Sequence, residues 1–305
     1  MEAVKSVNLV KIYYGKERVE ALKGVNLSIN KGELFTLLGP NGAGKTTFLR
    51  IISTQLLPTS GEAYVLGFNV LVQAEKVREH IAVVPQDAAT YGNFTPWDYC
   101  YYFSLLRGMT KQKAKEASEK ALKAVELWSF KDRVCATLSG GEKKRAIIAA
   151  ALASDAEVLM LDEPTSGLDA VARRKVWAVL REKIEQGKTI LLTTHIMEEA
   201  EMVSDRLAII NNGNLIAQGT IEEIKNLVKE KFRVVIEGKP QVLQKFVSNY
   251  SSVSFGSKRV FYVYNGDEAI ELIGKALKNG LKAEVSPITL EDVFVKLVGG
   301  EANES

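Results

Sequence analysis

The sequence has 305 residues, of which 46% are hydrophobic and 25% are charged, a composition typical of a globular protein large enough for two domains. Its 40 basic and 37 acidic residues give a net charge of +3, which does not indicate a surface for nucleic acid or anionic membrane. The two cysteines lack metal-type spacing and fit a reducing compartment, and we find neither a signal peptide nor the roughly 20 consecutive apolar residues that cross a bilayer.

The N-terminal residues 4–29 show loosely alternating apolar positions, which predict β-strands around a turn at Tyr13, Tyr14 and Gly15. One tyrosine here either stacks on a purine base or packs at the rim of the fold. Because strand alternation points neighbouring side chains to opposite faces, at most one of the two tyrosines can stack.

A glycine-rich stretch follows the apolar run Leu34–Leu38 and opens a segment with helical spacing, as a phosphate-binding loop requires. Its residues are Gly39, Pro40, Asn41, Gly42, Ala43, Gly44, Lys45, Thr46 and Thr47. The glycines let the backbone turn tightly, so that successive N–H groups converge on phosphates at the positive end of the helix. Lys45 adds a charge between the outer phosphates, and the Thr46 hydroxyl can bind Mg²⁺. The stretch predicts a nucleoside-triphosphate site.

The next apolar run, residues 81–86, ends on Pro85 and Gln86. Gln86 is either an ordinary polar residue where a strand reaches the surface or a side chain that reaches Mg²⁺ or the attacking water. Its spacing alone does not separate the two interpretations.

From residue 97 to residue 154 the periodicity becomes helical, with small apolar residues on one face of 111–127 and lysine and glutamate on the other. This block interrupts a chain that otherwise alternates strands and helices. We therefore predict a helical subdomain, at about residues 88–155, inserted between two strands of an α/β domain.

Within this block, Ser139 and Glu142 have the spacing of a capping box, which by itself predicts only a well-capped helix. The two residues between them, Gly140 and Gly141, each cost a helical turn about 1 kcal/mol relative to alanine. Their presence is explained if something must approach the backbone closely, such as a second phosphate at a helix N-terminus.

Residues 158–164 fit a strand buried on both faces that ends in Asp162 and Glu163, where α/β folds place their ligands. Asp162 is suited to hold Mg²⁺, mainly through its waters, and Glu163 to orient or deprotonate the attacking water. A similar strand, 189–195, ends on His195, which is either structural or functional. Residues 207–217 then predict a closing hairpin around a turn at 212–213.

Residues 220–231 predict a linker helix rich in lysine and glutamate. Beyond it the apolar runs follow the order β-α-β-β-α-β, the ferredoxin-like arrangement of a small accessory or regulatory domain, and a short helix at 289–298 ends the pattern. We therefore expect an ATPase domain at residues 1–225 and a C-terminal α+β domain at 226–305.

Residues 1 to about 225 resemble the ATP-binding subunit of ABC transporters, because six of that family's motifs occur here in the family's order. The matching segments are 39–46 (Walker A), Gln86 (the Q-loop), 138–142 (the LSGGQ signature, with Glu142 where most members have glutamine), 159–163 (Walker B), 166–169 (the D-loop) and His195 (the switch histidine).

The resemblance implies an α/β P-loop fold of the ABC ATPase type, with ATP and Mg²⁺ as cofactors. Tyr14 aligns best with the family's adenine-stacking aromatic residue, because Gly15 follows it. In the family two such domains associate head to tail, so that each ATP lies between one Walker A and the partner's signature. Ser139, Gly140 and Gly141 would therefore act in trans.

The resemblance also implies roles in hydrolysis. Glu163 would act on the water and His195 near the γ-phosphate, while Lys45 stabilises developing charge. The positions that match metal ligands are Thr46, Gln86 and Asp162.

Residues 57–62, 81–87 and 290–294 resemble the daunorubicin-resistance type of export ATPase, which pairs with a separately encoded membrane subunit. This resemblance implies an ATP-bound homodimer that drives export beneath such a permease, peripherally on the cytoplasmic face of the membrane and without nucleic acid. The alternative is a soluble ABC-type ATPase that acts on ribosomes or DNA, but such members usually carry two cassettes or long coiled coils. Nucleotide binding without turnover is disfavoured by the presence of both Glu163 and His195.

Overall fold

The computed structural model describes residues 1–87, 90, 92–246 and 249–299, and it divides into two compact units, Met1–Gln218 and Gly219–Ser305. The boundary expected from the sequence, after residue 225, lies slightly further along the chain. The predicted linker helix at 220–231 is shorter than expected, because it ends where the chain turns at Asn226. The Lys231 ammonium group holds this turn by donating to the Asn226 side-chain oxygen at 2.8 Å.

The first unit alternates strands and helices around one block of consecutive helices. Its elements are β1 (Glu2–Tyr14), β2 (Arg18–Asn30), β3 (Leu34–Leu38), α1 (Lys45–Ile52), β4 (Ser60–Val65), β5 (Phe68–Asn69), α2 (Ala74–His80), β6 (Ile81–Val84), α3 (Pro96–Leu106), α4 (Lys111–Ala124), α5 (Gly140–Ala153), β7 (Val158–Asp162), α6 (Ala170–Glu185), β8 (Thr189–Thr194), α7 (Met197–Val203), β9 (Arg206–Asn211) and β10 (Asn214–Gly219).

A six-stranded sheet in the order β10-β9-β3-β8-β7-β6 forms the centre of this unit. The pairs between β3 and β8, β3 and β9, β6 and β7, and β7 and β8 are parallel, and every residue of β3, β7 and β8 is buried. Most residues of these strands are apolar, because α/β proteins cover both faces of such a sheet. One face packs against α1 and the antiparallel sheet β2-β1-β4-β5, and the other packs against α5 and α6.

The register of the parallel strands brings three loops to one edge of the sheet. Leu38 pairs with Thr194 and Asp162 pairs with Thr193, so β3, β7 and β8 end side by side. The loops that follow these strands carry Gly39, Glu163 and His195, which are therefore neighbours although they are far apart in sequence.

The helices α3, α4 and α5 stand between β6 and β7, which confirms the predicted insertion; residues 88, 89 and 91 of the expected range lie outside the described residues. Cys100 and Cys135 are both buried in this helical part and are not bonded to each other. Among the described residues, no helix combines the length and the apolar character needed to cross a membrane.

The second unit is a four-stranded antiparallel sheet whose core includes Val234, Phe261 and Leu272. Its elements are α8 (Ile221–Lys225), β11 (Phe232–Glu237), α9 (Pro240–Lys245), β12 (Ser252–Phe255), β13 (Lys258–Val263), α10 (Gly266–Lys278), β14 (Lys282–Pro287) and α11 (Leu290–Gly299). The strand order is β12-β13-β11-β14, and β11 to β14 follow the predicted β-α-β-β-α-β sequence of elements. The apolar run at residues 242–247 predicts the first helix of this order. In the structure that helix, α9, begins earlier, at Pro240, and residue 247 lies outside the described residues.

Candidate functional site

The glycine-rich loop between β3 and α1 has the close backbone packing that only glycine permits. A side chain at Gly39 would place its Cβ 2.2 Å from the carbonyl oxygen of Ile210. Gly44, the residue before α1, has a φ of +109°, and a Cβ there would lie 2.5 Å from the carbonyl oxygen of Ala21. The loop therefore leads tightly into the N-terminus of α1, where backbone N–H groups and the helix dipole favour an anion.

A cleft of about 500 Å³ opens on this loop. It is lined by Ala21, Asn41, Gly42, Gly44, Lys45, Thr46, Thr47, Gln86, Glu163, Ser166 and His195. The cleft thus brings most of the loop together with Gln86, Glu163 and His195. The sequence predicted these three side chains separately, each on a different segment. Ala21 had no assigned role from the sequence, and Ser166 had been matched only to the D-loop.

Lys45 is a buried cation held in place by the loop itself. Its ammonium group donates to the carbonyl oxygens of Gly39 at 2.8 Å and Pro40 at 3.0 Å, and it lies 3.6 Å from Glu163 Oε1. Burial lowers the pKa of Lys45 below its usual value, while the carboxylates of Glu163 and Asp162 oppose this effect. Lys45 lines the cleft in which phosphate groups are expected.

Glu163 is the point on which the polar side chains of the cleft converge. Its carboxylate accepts from Gln86 Nε2 at 3.3 Å, and Oε1 lies 3.0 Å from His195 Nδ1. The side chain is only 6% exposed, and its backbone has a φ of +46°, a conformation unusual for a residue other than glycine. Backbone strain of this kind costs of order 1–3 kcal/mol and clusters at active sites. The arrangement can hold and orient a water molecule or a phosphate oxygen.

Asp162 lies beside the cleft and is 2% exposed. The Thr193 hydroxyl, from the neighbouring strand β8, donates a short hydrogen bond to Asp162 Oδ1, and the Glu163 N–H lies 3.1 Å from the same hydroxyl. Thr193 thus holds both carboxylate residues. The sequence did not single it out, because this contact depends on the β7–β8 register.

The predicted Q-loop residue is tied to α5, the helix that begins within the signature. Lys144 on α5 donates from its ammonium group to the backbone carbonyl oxygen of Gln86 at 2.9 Å. Lys144 is 9% exposed, and burial lowers its pKa, opposed by the carboxylates of Asp162, Asp87 and Glu163. No sequence pattern pointed to this lysine, which lies within a run of basic residues.

The two N-terminal tyrosines have different surroundings. The Tyr13 hydroxyl lies 3.3 Å from Thr47 Oγ1, whereas Tyr14 is 77% exposed and does not line the cleft. The structure therefore brings Tyr13 to the phosphate loop, and the adenine-stacking role of Tyr14 remains a prediction.

The signature residues lie outside the cleft. Ser139 caps α5, and its backbone N–H donates to Glu142 Oε2 at 2.7 Å, which completes the predicted capping box. Hydrogen bonds from the backbone and the side chain of Ser139 lower the pKa of the Glu142 carboxyl. A Cβ added at Gly140 would meet open space, so packing within the described part of the chain gives no reason for a glycine there. A Cβ added at Gly141 would lie 3.4 Å from Leu168 Cδ2 and 3.9 Å from the Gly167 carbonyl oxygen.

The parallel sheet, the loop at the start of α1 and the buried carboxylates beside it define a P-loop nucleoside triphosphatase. Comparison with known proteins gives a closer assignment. Residues 22–166 match the ABC transporter family. Over 302 residues, 99% of this chain and 95% of its relative, the sequence is 36% identical to the Nod factor export ATP-binding protein I of Rhizobium etli.

A second relative is the daunorubicin/doxorubicin resistance ATP-binding protein DrrA of Streptomyces peucetius. It is 37% identical over 224 residues, which cover 73% of this chain and 67% of that protein. Among solved structures, a dimeric ATP-binding cassette in a post-hydrolysis state with ADP and Pi has a TM-score of 0.66 at 29% identity. That match covers 71% of this chain and 98% of the cassette.

An ATP-binding subunit of an ABC transporter gives a TM-score of 0.68 at 26% identity, over 74% of this chain and 92% of that subunit. The chain belongs to the ABC transporter family. It binds and hydrolyses ATP, as the sequence predicted, and the comparisons do not favour a ribosome- or DNA-directed ATPase.

Proposed function

We propose that this chain is the ATP-hydrolysing subunit of an export transporter, acting as a homodimer beneath a separately encoded permease on the cytoplasmic face of the membrane. Residues 1–225 supply the ATPase, and residues 226–305 form an accessory or regulatory domain. The names of the relatives, one for export and one for drug resistance, support this role. The convergence of Lys45, Gln86 and His195 on Glu163 supports the catalytic part of the proposal.

ATP would be held by the phosphate loop. The loop N–H groups and the Lys45 ammonium group bind the β- and γ-phosphates, and Tyr14 stacks on the adenine ring. The oxygen atoms of Thr46, Gln86 and Asp162 suit Mg²⁺, a hard cation that prefers such ligands and keeps several waters or phosphate oxygens. When bound, Mg²⁺ neutralises charge that develops on the phosphate oxygens.

Hydrolysis would depend on the pair formed by the buried Glu163 and the more exposed His195. Glu163 accepts a proton from the attacking water, and His195, 3.0 Å from that carboxylate, fixes its orientation and reaches toward the γ-phosphate. Lys45 is already held by the loop carbonyls, so it stabilises developing charge without a large rearrangement.

The signature of one subunit would complete the nucleotide site of the other. Ser139, Gly140 and Gly141 do not line the cleft of their own chain, and Gly140 faces open space. A phosphate brought by a partner in head-to-tail arrangement would occupy the N-terminus of α5, which accounts for glycines that the fold itself does not require.

The Glu163→Gln variant tests this proposal. We expect it to bind ATP, because the phosphate loop is unchanged, and to lose turnover by about 10²- to 10⁴-fold, because an amide cannot accept the proton. The variant should then accumulate as an ATP-bound dimer, measured by an ATPase assay and by sizing with and without ATP. Unimpaired hydrolysis would contradict the role of Glu163.

The same variant identifies the partner. We expect affinity purification of Glu163→Gln from detergent-solubilised source cells to recover a stoichiometric protein with several membrane spans, identified by mass spectrometry. Recovery of ribosomal proteins or nucleic acid without a membrane protein would refute the transporter role and leave the ATPase assignment intact.

A further inference from the structure

A buried glutamate on α7 is not accounted for by the roles proposed above. Glu199 is 3% exposed and lies four residues after His195. A carboxylate removed from water to this degree is costly unless hydrogen bonds and an ion pair compensate it. Its partners are therefore informative.

Two of these partners adjoin the proposed catalytic groups. Glu199 Oε2 accepts from the Thr165 hydroxyl at 2.9 Å and from the Thr194 hydroxyl at 3.4 Å. Thr165 lies two residues after Glu163, and Thr194 immediately precedes His195. One carboxylate oxygen thus joins the loop after β7 to the end of β8.

The third partner extends this link to the segment after Glu163. Arg173 Nε on α6 lies 3.0 Å from Glu199 Oε1, and Arg173 Nη2 donates to the Leu168 carbonyl oxygen at 3.4 Å. Leu168 belongs to residues 166–169, which join β7 to α6. The carboxylate of Glu199 therefore connects the loop between β7 and α6, the end of β8 and the start of α6.

We propose that Glu199 is a positioning residue for ATP hydrolysis, which holds Glu163 and His195 at their mutual distance through Thr165 and Thr194. This inference rests on the proposed roles of Glu163 and His195. The alternative is that Glu199 only stabilises the fold, in which case its loss would lower the stability of the protein without a specific effect on the chemical step.

The first test is Glu199→Gln in the full chain, compared with Glu198→Gln. Glu198 is the exposed neighbour on the same helix, so the control makes the same chemical change outside the network. The amide keeps an acceptor oxygen but loses the ion pair with Arg173. Because misplacement of a catalytic group by about 1 Å can cost 100-fold, we expect kcat to fall by about 10- to 100-fold.

The KM for ATP should change little, and Glu198→Gln should behave as wild type. A Glu199→Gln variant with wild-type kcat would overturn the inference, as would an equal loss in the control.

The second test separates positioning from stability through a double-mutant cycle with His195→Ala. If Glu199 acts through the Glu163–His195 pair, Glu199→Gln should reduce kcat much less in the His195→Ala background than in wild type. If the two substitutions lower kcat by factors that simply multiply in the double variant, the proposal is overturned. If Glu163→Gln and His195→Ala both retain full hydrolysis, the proposed catalytic function is refuted. If these two variants are inactive but Glu199→Gln is fully active, only the positioning role of Glu199 is refuted.

A third pair of variants covers the case in which Glu199→Gln does not fold. Thr165→Val removes the hydroxyl at nearly constant volume, and Thr165→Ser restores it. We expect kcat to fall in Thr165→Val and to recover in Thr165→Ser, with similar thermal stability. Equal kcat in the two variants would contradict the proposed positioning role of the Thr165–Glu199 hydrogen bond.

Discussion

At the scale of single residues, Glu163 shows how the fold combines an unusual backbone with a specific chemical group. Glu163 is the residue immediately after β7, and it has a left-handed φ of +46°. Its carboxylate faces the Lys45 ammonium group, the Gln86 amide and the His195 imidazole. A strained residue in a buried position needs support from its surroundings. Here the Thr193 hydroxyl and carbonyl, both close to the Glu163 N–H, provide it.

Gly39 provides a test of the phosphate loop. A methyl group in Gly39→Ala would lie 2.2 Å from the backbone carbonyl oxygen of Ile210, so the loop or β9 must shift. We expect a loss of about 1–3 kcal/mol in the free energy of unfolding, together with weaker ATP binding. Denaturant unfolding and nucleotide titration measure the two effects.

Gly140→Ala is the matched control for stability, because a Cβ at that position meets open space. We expect the free energy of unfolding of Gly140→Ala to equal or exceed the wild-type value, since alanine favours a helix by about 1 kcal/mol over glycine. Equal destabilisation by the two substitutions would contradict the packing described for Gly39.

Residue roles could be predicted from the sequence where chemistry and spacing coincide, and not where they depend on contacts between distant segments. Lys45 and Glu163 belong to recognisable patterns, and both meet in the cleft. Thr193, Glu199 and Lys144 were missed because their partners are set by strand register and helix packing. Tyr13 and Tyr14 could not be separated by alternation alone.

At the scale of elements, the buried parallel strands were the easiest to predict. A strand covered on both faces is mostly apolar, so β3, β7 and β8 appear in the sequence as short apolar runs that are interrupted or ended by threonine or aspartate. The order of β11 to β14 and the helices between them was also predicted. The linker helix at 220–231 was overpredicted, because composition does not reveal the turn that Lys231 stabilises at Asn226.

The second unit contains a buried polar contact that joins β13 to α11. The Tyr262 hydroxyl donates to Asp292 Oδ1 at 3.0 Å, and Arg233 Nη1 lies 3.4 Å from the other oxygen of that carboxylate. Burial raises the pKa of Tyr262 to about 12, with a further contribution from the Asp292 charge. Since the folded pKa lies above the ordinary value of about 10, the stabilisation is complete below pH 10 and is lost between about pH 10 and 12.

We therefore expect Tyr262→Phe to lower the free energy of unfolding of this unit by about 1 kcal/mol at pH 8, because Asp292 loses a hydrogen-bond donor. The difference from wild type should shrink as the pH rises from about 10 to 12. Urea unfolding at pH 8 and pH 11 measures both, with Tyr264→Phe, an exposed tyrosine next to β13, as control. A difference that grows with pH would contradict the raised pKa of Tyr262.

At the scale of the whole molecule, the proposed head-to-tail dimer would give each chain two incomplete halves of a nucleotide site. The phosphate loop and Glu163 line one cleft, and the capped start of α5 at Ser139 lies outside it. Association of two chains would complete both sites at once, which links ATP binding to dimer formation.

Ser139→Arg tests this arrangement. We expect the bulky cation to block the ATP-dependent dimer in a Glu163→Gln background, while the affinity of the monomer for ATP stays within about threefold, less than 1 kcal/mol. Light scattering gives the oligomeric state, and titration with a fluorescent ATP analogue gives the affinity. Loss of nucleotide binding by the monomer would instead assign Ser139 to the site of its own chain.

The two buried cysteines of the helical part give the protein an internal reporter of motion. Burial raises the pKa of both the Cys100 and the Cys135 thiols, so that neither presents a reactive thiolate while the helices remain packed. Alkylation by a thiol reagent therefore requires local opening, and its rate measures how often α3 and the segment before α5 separate from their neighbours. If nucleotide binding tightens the packing of this part of the chain, the rate of alkylation will fall. The wild-type protein can report that change without an added label.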